Sequence, residues 1–207
     1  MKKLFFYDII EDLRKGIEMK DLETKRYILR KPEMKDAEEI YEKWGTDKEK
    51  TAEYRDYNTH KNIIETKALL KAAICDAESG TPFWVAEKKN SKEIIGYIKI
   101  LEYSEKYKKC QIVFYFLDKW RKDLSPEEVL NEVIRYLFTE EVFETIVIKF
   151  YDRNEKDTEN IARVLDGIGM KREGILRDRM INTQGQKINE HIYSILKEEW
   201  EKFKLKK

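Results

Sequence analysis

Apolar residues recur along this chain with two different periods, and the switching between them predicts alternating helices and strands. Residues 1–22 carry Phe5, Phe6, Ile9, Ile10, Leu13 and Ile17 at helical spacing, with Asp8, Glu11, Asp12 and Arg14 opposite. That pattern predicts an amphipathic N-terminal helix, which either packs on its own domain or supports a homodimer. RYILRK (26–31) reads as the first strand. KPEMKDAEEIYEKWG (31–45) opens with Pro32 and ends at Gly45, the asymmetry expected of helix boundaries, with Ile40, Tyr41 and Trp44 inward. HKNIIETKALLKAAICDAESG (60–80) predicts a second helix, stopped by Ser79-Gly80.

Strand patterns dominate the middle of the chain. TPFWVAEKK (81–89) and EIIGYIKILEYS (93–104) flank the polar turn NSK, and the nearly unbroken apolar run CQIVFYFL (110–117) predicts a strand buried on both faces. The helix after it turns Val129, Leu130, Val133, Ile134, Leu137 and Phe138 to one side. TIVIKFY (145–151) is a further buried strand, and TENIARVLDGIG (158–169) a helix with Ile161, Val164, Leu165 and Ile168 inward and Gly169 placed to end it. REGILRDRMIN and KINEHIYSILK close the chain as two strands joined through TQGQ. The unit from 110 to 151 predicts a right-handed parallel crossover. The fold class is therefore α/β, a mixed sheet with helices on both faces, with 23–207 as one domain behind the N-terminal extension.

Composition narrows the partners. The 207 residues suffice for one domain with a sizeable core, and 42 basic against 41 acidic side chains leave a formal charge of +1. That balance gives no electrostatic reason to expect nucleic acid. Cys75 and Cys110 have no metal-ligand spacing and read as two buried thiols in a reducing compartment. Acids interrupt the apolar stretch of MKKLFFYDIIEDL, so it does not read as a secretory signal, and no run approaches the roughly 18 apolar residues of a membrane span. A soluble cytoplasmic protein is expected, with KFKLKK as a solvated basic tail.

The element order, read with its residues, resembles the GNAT N-acetyltransferase superfamily, and in particular the branch of ribosomal-protein N-terminal and polyamine acetyltransferases. The resemblance rests on ETKRYILRKPEMKDAEEIYEKW, NTHKNIIETKALL, FWVAEKKNSKEIIGYIKI and VLDGIGMKREGILRDRMINTQGQKINEHIYSILKEEW, and covers residues 23 to 200. It implies transfer of an acetyl group from acetyl-CoA to the primary amine of a small molecule or peptide. It also implies that the donor lies where two parallel central strands splay, CQIVFYFL and TIVIKFY. Pantetheine would pair near Phe116 and Leu117. Backbone amides at the start of the next helix would hold the pyrophosphate, because unsatisfied amides and the helix dipole favour an anion there.

Several residues depart from that pattern. Relatives carry glycines where this chain has Lys122 and Leu124, with Asp123 between them. A tight backbone cradle for phosphate favours glycine. Here Ser125 caps the helix instead, Pro126 occupies its first position, and Glu127 and Glu128 add charge that opposes a pyrophosphate; Arg121 and Lys122 remain to attract one. The strand glutamate of several relatives corresponds to Gln111, which cannot take a proton. Asn154 remains of an Asn-x-x-Ser motif whose serine aligns with Ile161, and the usual general-acid tyrosine aligns with Leu165. Tyr115 and Tyr151 either pack or protonate a leaving thiolate. Asp152 either receives an amine or is a strand-end carboxylate, and His60 falls in the region that lines the acceptor pocket of relatives. His191 reads as structural. Two functions follow: a working N-acetyltransferase, or a GNAT-fold binding module that has lost the CoA pyrophosphate site.

Overall fold

The computed structural model describes residues 16–45, 60–117, 125–152, 155–182 and 185–205, with the backbone alone for Trp44, Gly45 and Ser125. Strands β1 (Leu22–Glu23) and β2 (Tyr27–Arg30) are followed by a helical run. That run is a 3-10 turn (Met34–Asp36), α1 (Ala37–Ile40) and a wider π turn (Tyr41–Gly45), rather than the single helix its boundaries predict. Its start is held by Asp36, which accepts from the Glu33 amide and from both terminal nitrogens of Arg30 at 2.8 and 2.9 Å. Arg30 Nε also reaches Glu87 at 2.7 Å, and the two carboxylates raise the guanidinium pKa despite its burial.

Helix α2 (Ile63–Glu78) is capped by Asn62, whose side chain accepts from the amides of Ile64 and Glu65. There follow β3 (Phe83–Lys88), β4 (Ile94–Ser104), β5 (Lys109–Phe116), α3 (Ser125–Thr139), β6 (Thr145–Tyr151), α4 (Glu155–Gly167), β7 (Lys171–Ile181), β8 (Lys187–Leu196) and α5 (Lys197–Lys204). The eight strands form one sheet in the order β1-β2-β3-β4-β5-β6-β8-β7. Only β5 and β6 run parallel; the other neighbours are antiparallel.

Two cores lie on opposite faces of the sheet. The larger packs α3, α4 and Trp200 of α5 against strand residues such as Trp84, Ile98, Ile112, Ile148 and Tyr193. All six predicted inward residues of α3 are fully buried. The smaller core joins Ala37, Ile40 and Leu70 to Val85, Tyr97, Tyr115 and Leu117.

Several expectations change. Residues 1–15 of the expected N-terminal helix lie outside the described residues. Ile17 is buried but not helical, and the chain around it runs against the corner after α2. Its amide donates to Gly80 O at 3.0 Å, and a Cβ on Gly16 would lie 2.2 Å from Gly80 Cα, so two glycines permit the crossing. Leu22, the last residue of the expected extension, opens β1. Cys75 is exposed on α2, whereas Cys110 is buried and its thiol is pushed up to about 12 by desolvation. Of the tail expected to be solvated, residues 202–204 close α5, with Lys202, Lys204 and the following Leu205 exposed and Phe203 half-buried. Strand β5 is not buried throughout, since Gln111, Val113 and Phe114 are half-exposed near the point where its partner leaves it.

Candidate active site

The ladder between β5 and β6 runs from Lys109–Thr145 to Ile112–Ile148 and stops there, although β5 continues to Phe116 and β6 to Tyr151. β4 keeps its pairing with β5 as far as Gly96–Phe116, and β8 follows β6 to Tyr151. Each arm is therefore braced from outside while the space between them opens as a wedge. Register fixes which side chains flank it. Gln111 lies beside Val147 at the closed end. Because side chains alternate, Tyr115 and Tyr151 fall on that same face, one on each arm. Both rings are buried, and Tyr115 stacks on Tyr97 with centroids 5.7 Å apart. Phe116 is buried on the opposite face. The Leu117 amide donates to Ile95 O at 2.9 Å, so that N–H is already used within the sheet.

Asp152 follows β6 on the face of α3 and α4, apart from the two tyrosines. It accepts from the Asn189 amide at 3.0 Å and lies 2.5 Å from His191 Nε2. The His191 ring stacks on Phe150 at 4.8 Å. Sequence reading took Asp152 and His191 separately; their pairing depends on strands β6 and β8 being neighbours, and no local motif signals it. Ile161 and Leu165 are buried in the core.

Helix α3 begins at Ser125, the next described residue after Leu117 at the end of the β5 arm. Arg121, Lys122, Asp123 and Leu124, and also Asn154, lie outside the described residues. The acids of the first turn turn away to neighbours. Glu128 bonds the backbone nitrogen and Nε of Arg26 at 2.8 and 2.6 Å. Glu127 lies against Gly167, where an added Cβ would meet Oε1 at 3.1 Å.

On the face of α1 and α2, a cavity of about 240 Å³ opens beside Tyr97. Its apolar walls include Ile40, Leu70, Phe83, Val85 and Tyr97, and its polar groups are His60, Thr66, Asp76 and Lys99. Phe83 stacks on Tyr97 at 5.2 Å, continuing the row that ends at Tyr115. His60 is buried, with Nδ1 2.7 Å from Thr66 Oγ1, and desolvation lowers its pKa against the weaker pull of Glu65. It is therefore mainly a neutral imidazole near neutral pH. Gln111 Oε1 is buried and accepts no hydrogen bond from the described residues. Among those residues no cluster of His, Cys, Asp or Glu could hold a metal, and no helix is long and apolar enough to cross a membrane.

A mixed sheet opened between its two parallel strands, with a helix starting beyond one arm, defines an acyltransferase-type fold. The acetyltransferase (GNAT) domain family matches residues 26–171, and the protein belongs to that family. It is 27% identical over 179 residues to YoaA of Bacillus subtilis strain 168, an uncharacterized N-acetyltransferase, covering 85% of this chain and 96% of that one. Its fold is shared with the ribosomal-protein-S5-alanine acetyltransferase of Vibrio fischeri, with TM-score 0.73, 17% identity, and coverage of 88% and 99%. It is shared as well with the microcin C7 self-immunity acetyltransferase MccE in complex with acetyl-CoA and AMP, with TM-score 0.69, 19% identity, and coverage of 83% and 93%.

Proposed function

We propose that the protein is a cytoplasmic acetyl-CoA-dependent N-acetyltransferase that acts on a primary amine by direct attack, akin to the branch of ribosomal-protein N-terminal and polyamine enzymes. The observation that carries this reading is the wedge, since the ladder ends at Ile112–Ile148 while both strands go on. A pantetheine arm needs such a strand edge to pair with, and the next described element after β5 is a helix whose start suits a pyrophosphate. In the sequence, Arg121 and Lys122 stand just before that helix and carry positive charge. The Glu128 carboxylate is already matched by Arg26, which removes much of the repulsion that its position in the first turn suggests.

The acceptor approaches from the cavity beside Tyr97. Its nitrogen lone pair attacks the thioester carbonyl, a C–N bond forms, and the C–S bond breaks with its electrons passing to sulfur. The nitrogen sheds one proton to water and the thiolate gains one from Tyr115, Tyr151 or solvent, so the products are an amide and a free thiol. Strand amides polarise the carbonyl, and proximity supplies much of the rate without a dedicated base.

The test is calorimetric titration of the full chain with acetyl-CoA and with CoA, beside an Asp123→Gly/Glu127→Ala variant. Saturable micromolar binding by the native chain is expected, with tighter binding by the variant. Absence of binding by the native chain up to millimolar donor would overturn the proposal and favour a binding module.

A further inference from the structure

Helix α2 carries apolar residues on two opposite sides. Thr66, Leu70 and Ala77 are buried toward the sheet. On the side turned away, Ile64, Ala68, Ala72 and Cys75 recur at helical spacing, and all four are exposed. Ile64 is 73% exposed, and Leu69, at the border of this stripe, is 48% exposed. A surface helix normally turns charge outward, so an outward apolar stripe calls for a further neighbour.

The chain itself supplies a cover of matching length. Gly16 packs on Gly80 at the corner after α2, and the Ile17 amide donates to Gly80 O at 3.0 Å. Residues 1–15 are therefore tethered just beyond the C-terminal end of α2. As a helix they would reach about 22 Å, against about 24 Å for α2. Their sequence pattern puts Phe5, Phe6, Ile9, Ile10 and Leu13 on one side. The longest other stretch outside the described residues, 46–59, contains no Ile, Leu, Val, Met or Phe.

We propose that residues 1–15 form a helix that docks, within the same chain, on the outward face of α2 and runs parallel to it. Both helices then end at the Gly16–Gly80 crossing. Burial of the five large apolar side chains against the stripe drives the docking, and Ala68 and Ala72 let the two backbones come close. Tethering favours the same chain over a second copy, because an attached segment is held at an effective concentration on the order of millimolar. Leu69 and Ala72 also line the cavity beside Tyr97, so the docked segment forms one lip of its mouth. This goes beyond the acetyl-transfer reading and does not depend on it.

The experiment uses Cys75, the exposed thiol of α2, as the reporter in the full chain; Cys110 is buried, with its thiol pushed up to about 12. In the parallel arrangement residues 10 and 11 fall about level with Cys75, Ile10 on the apolar side and Glu11 opposite. Under mild oxidation at low protein concentration, Ile10→Cys is expected to form a disulfide with Cys75 of its own chain at least about tenfold faster than Glu11→Cys. Mass spectrometry of unreduced peptides reads the bond, and its rate should not change on dilution. Equal rates for the two variants, or no bond in either, overturns the proposal. A bond between chains, at a rate that rises with concentration, overturns it in favour of a second copy on the same face. Iodoacetamide gives a check that needs no new thiol: Ile9→Asp/Leu13→Asp should raise the alkylation rate of Cys75 at least about threefold, measured below the onset of thermal unfolding. An unchanged rate also overturns the docking.

Discussion

Glu128, in the first turn of α3, grips Arg26 at two points, the backbone nitrogen at 2.8 Å and Nε at 2.6 Å. This joins the helix that borders the wedge to the turn between β1 and β2, so the far edge of the sheet is anchored to the candidate site. Burial opposes the Glu128 charge, but bonds from Thr24 and Arg26 outweigh it and hold the carboxyl below its usual 4.5. Its contribution is therefore complete above about pH 4.5 and lost as pH falls through the lowered folded value. Glu128→Gln is expected to cost about 1–2 kcal/mol at neutral pH, discounted for a partly exposed partner. Urea unfolding at pH 7 and pH 3.5 checks this: the gap between the two proteins should shrink at the lower pH.

Gly96 and Tyr115 set the outer brace of the β5 arm. A Cβ on Gly96 would stand 2.0 Å from the Tyr115 carbonyl oxygen and 3.0 Å from Phe116 Cα, both backbone atoms with little freedom to yield. Gly96→Ala must push β5 toward the wedge or break the pairing at Gly96–Phe116. A loss of about 2 kcal/mol or more is expected. Under the proposed function, acetyl-CoA affinity should fall at least several-fold in the same variant, measured by calorimetry at a temperature where it remains folded.

The elements with one strongly apolar face were legible in the residues alone. In α3, Val129, Leu130, Val133, Ile134, Leu137 and Phe138 fall at helical spacing, and every one is buried. β1 escaped notice because two residues cannot establish a period; Leu22 and Glu23 become a strand only by pairing with Leu29 and Ile28. The candidate site divides similarly. Both arms of the wedge were readable as apolar strands. The alignment of Gln111 with Val147, and hence of Tyr115 with Tyr151, is a matter of register between strands that no local pattern encodes. Asp152 and His191 meet for the same reason, through the pairing of β6 with β8.

Helix α5 shows how charge can hide a core element. The expected solvated tail begins only at Lys202, within Lys197–Lys204; just before it Trp200 is buried against Phe138 with centroids 5.4 Å apart, and Lys204 covers its outer ring. Phe203 packs on Gly169, whose φ of +87° and ring contact leave no room for a side chain. Trp200→Ala is expected to cost about 3–5 kcal/mol. Gly169→Ala should cost about 1–3 kcal/mol from backbone strain and the ring contact. Thermal unfolding followed by circular dichroism distinguishes this docked helix from a solvated tail, for which both substitutions would be nearly silent.

His60 ties stability to pH through the wall of the cavity beside Tyr97. Desolvation is the main cause of its lowered pKa, and the Glu65 charge only partly opposes it. The fold thus favours neutral imidazole, with Nδ1 against Thr66 Oγ1 at 2.7 Å. The sign follows from linkage: its contribution is complete above the unfolded value of about 6.5 and drains away as pH falls through the lower folded value. The slope from this one proton cannot exceed about 1.4 kcal/mol per pH unit. His60→Asn keeps a polar atom near the Nδ1 position without titrating, and should cost about 0.5–1.5 kcal/mol at pH 8. Between pH 8 and pH 5 the native chain should lose more stability than the variant, so the two denaturation curves converge. Parallel curves across that range would show that protonation of His60 does not strain the cavity wall.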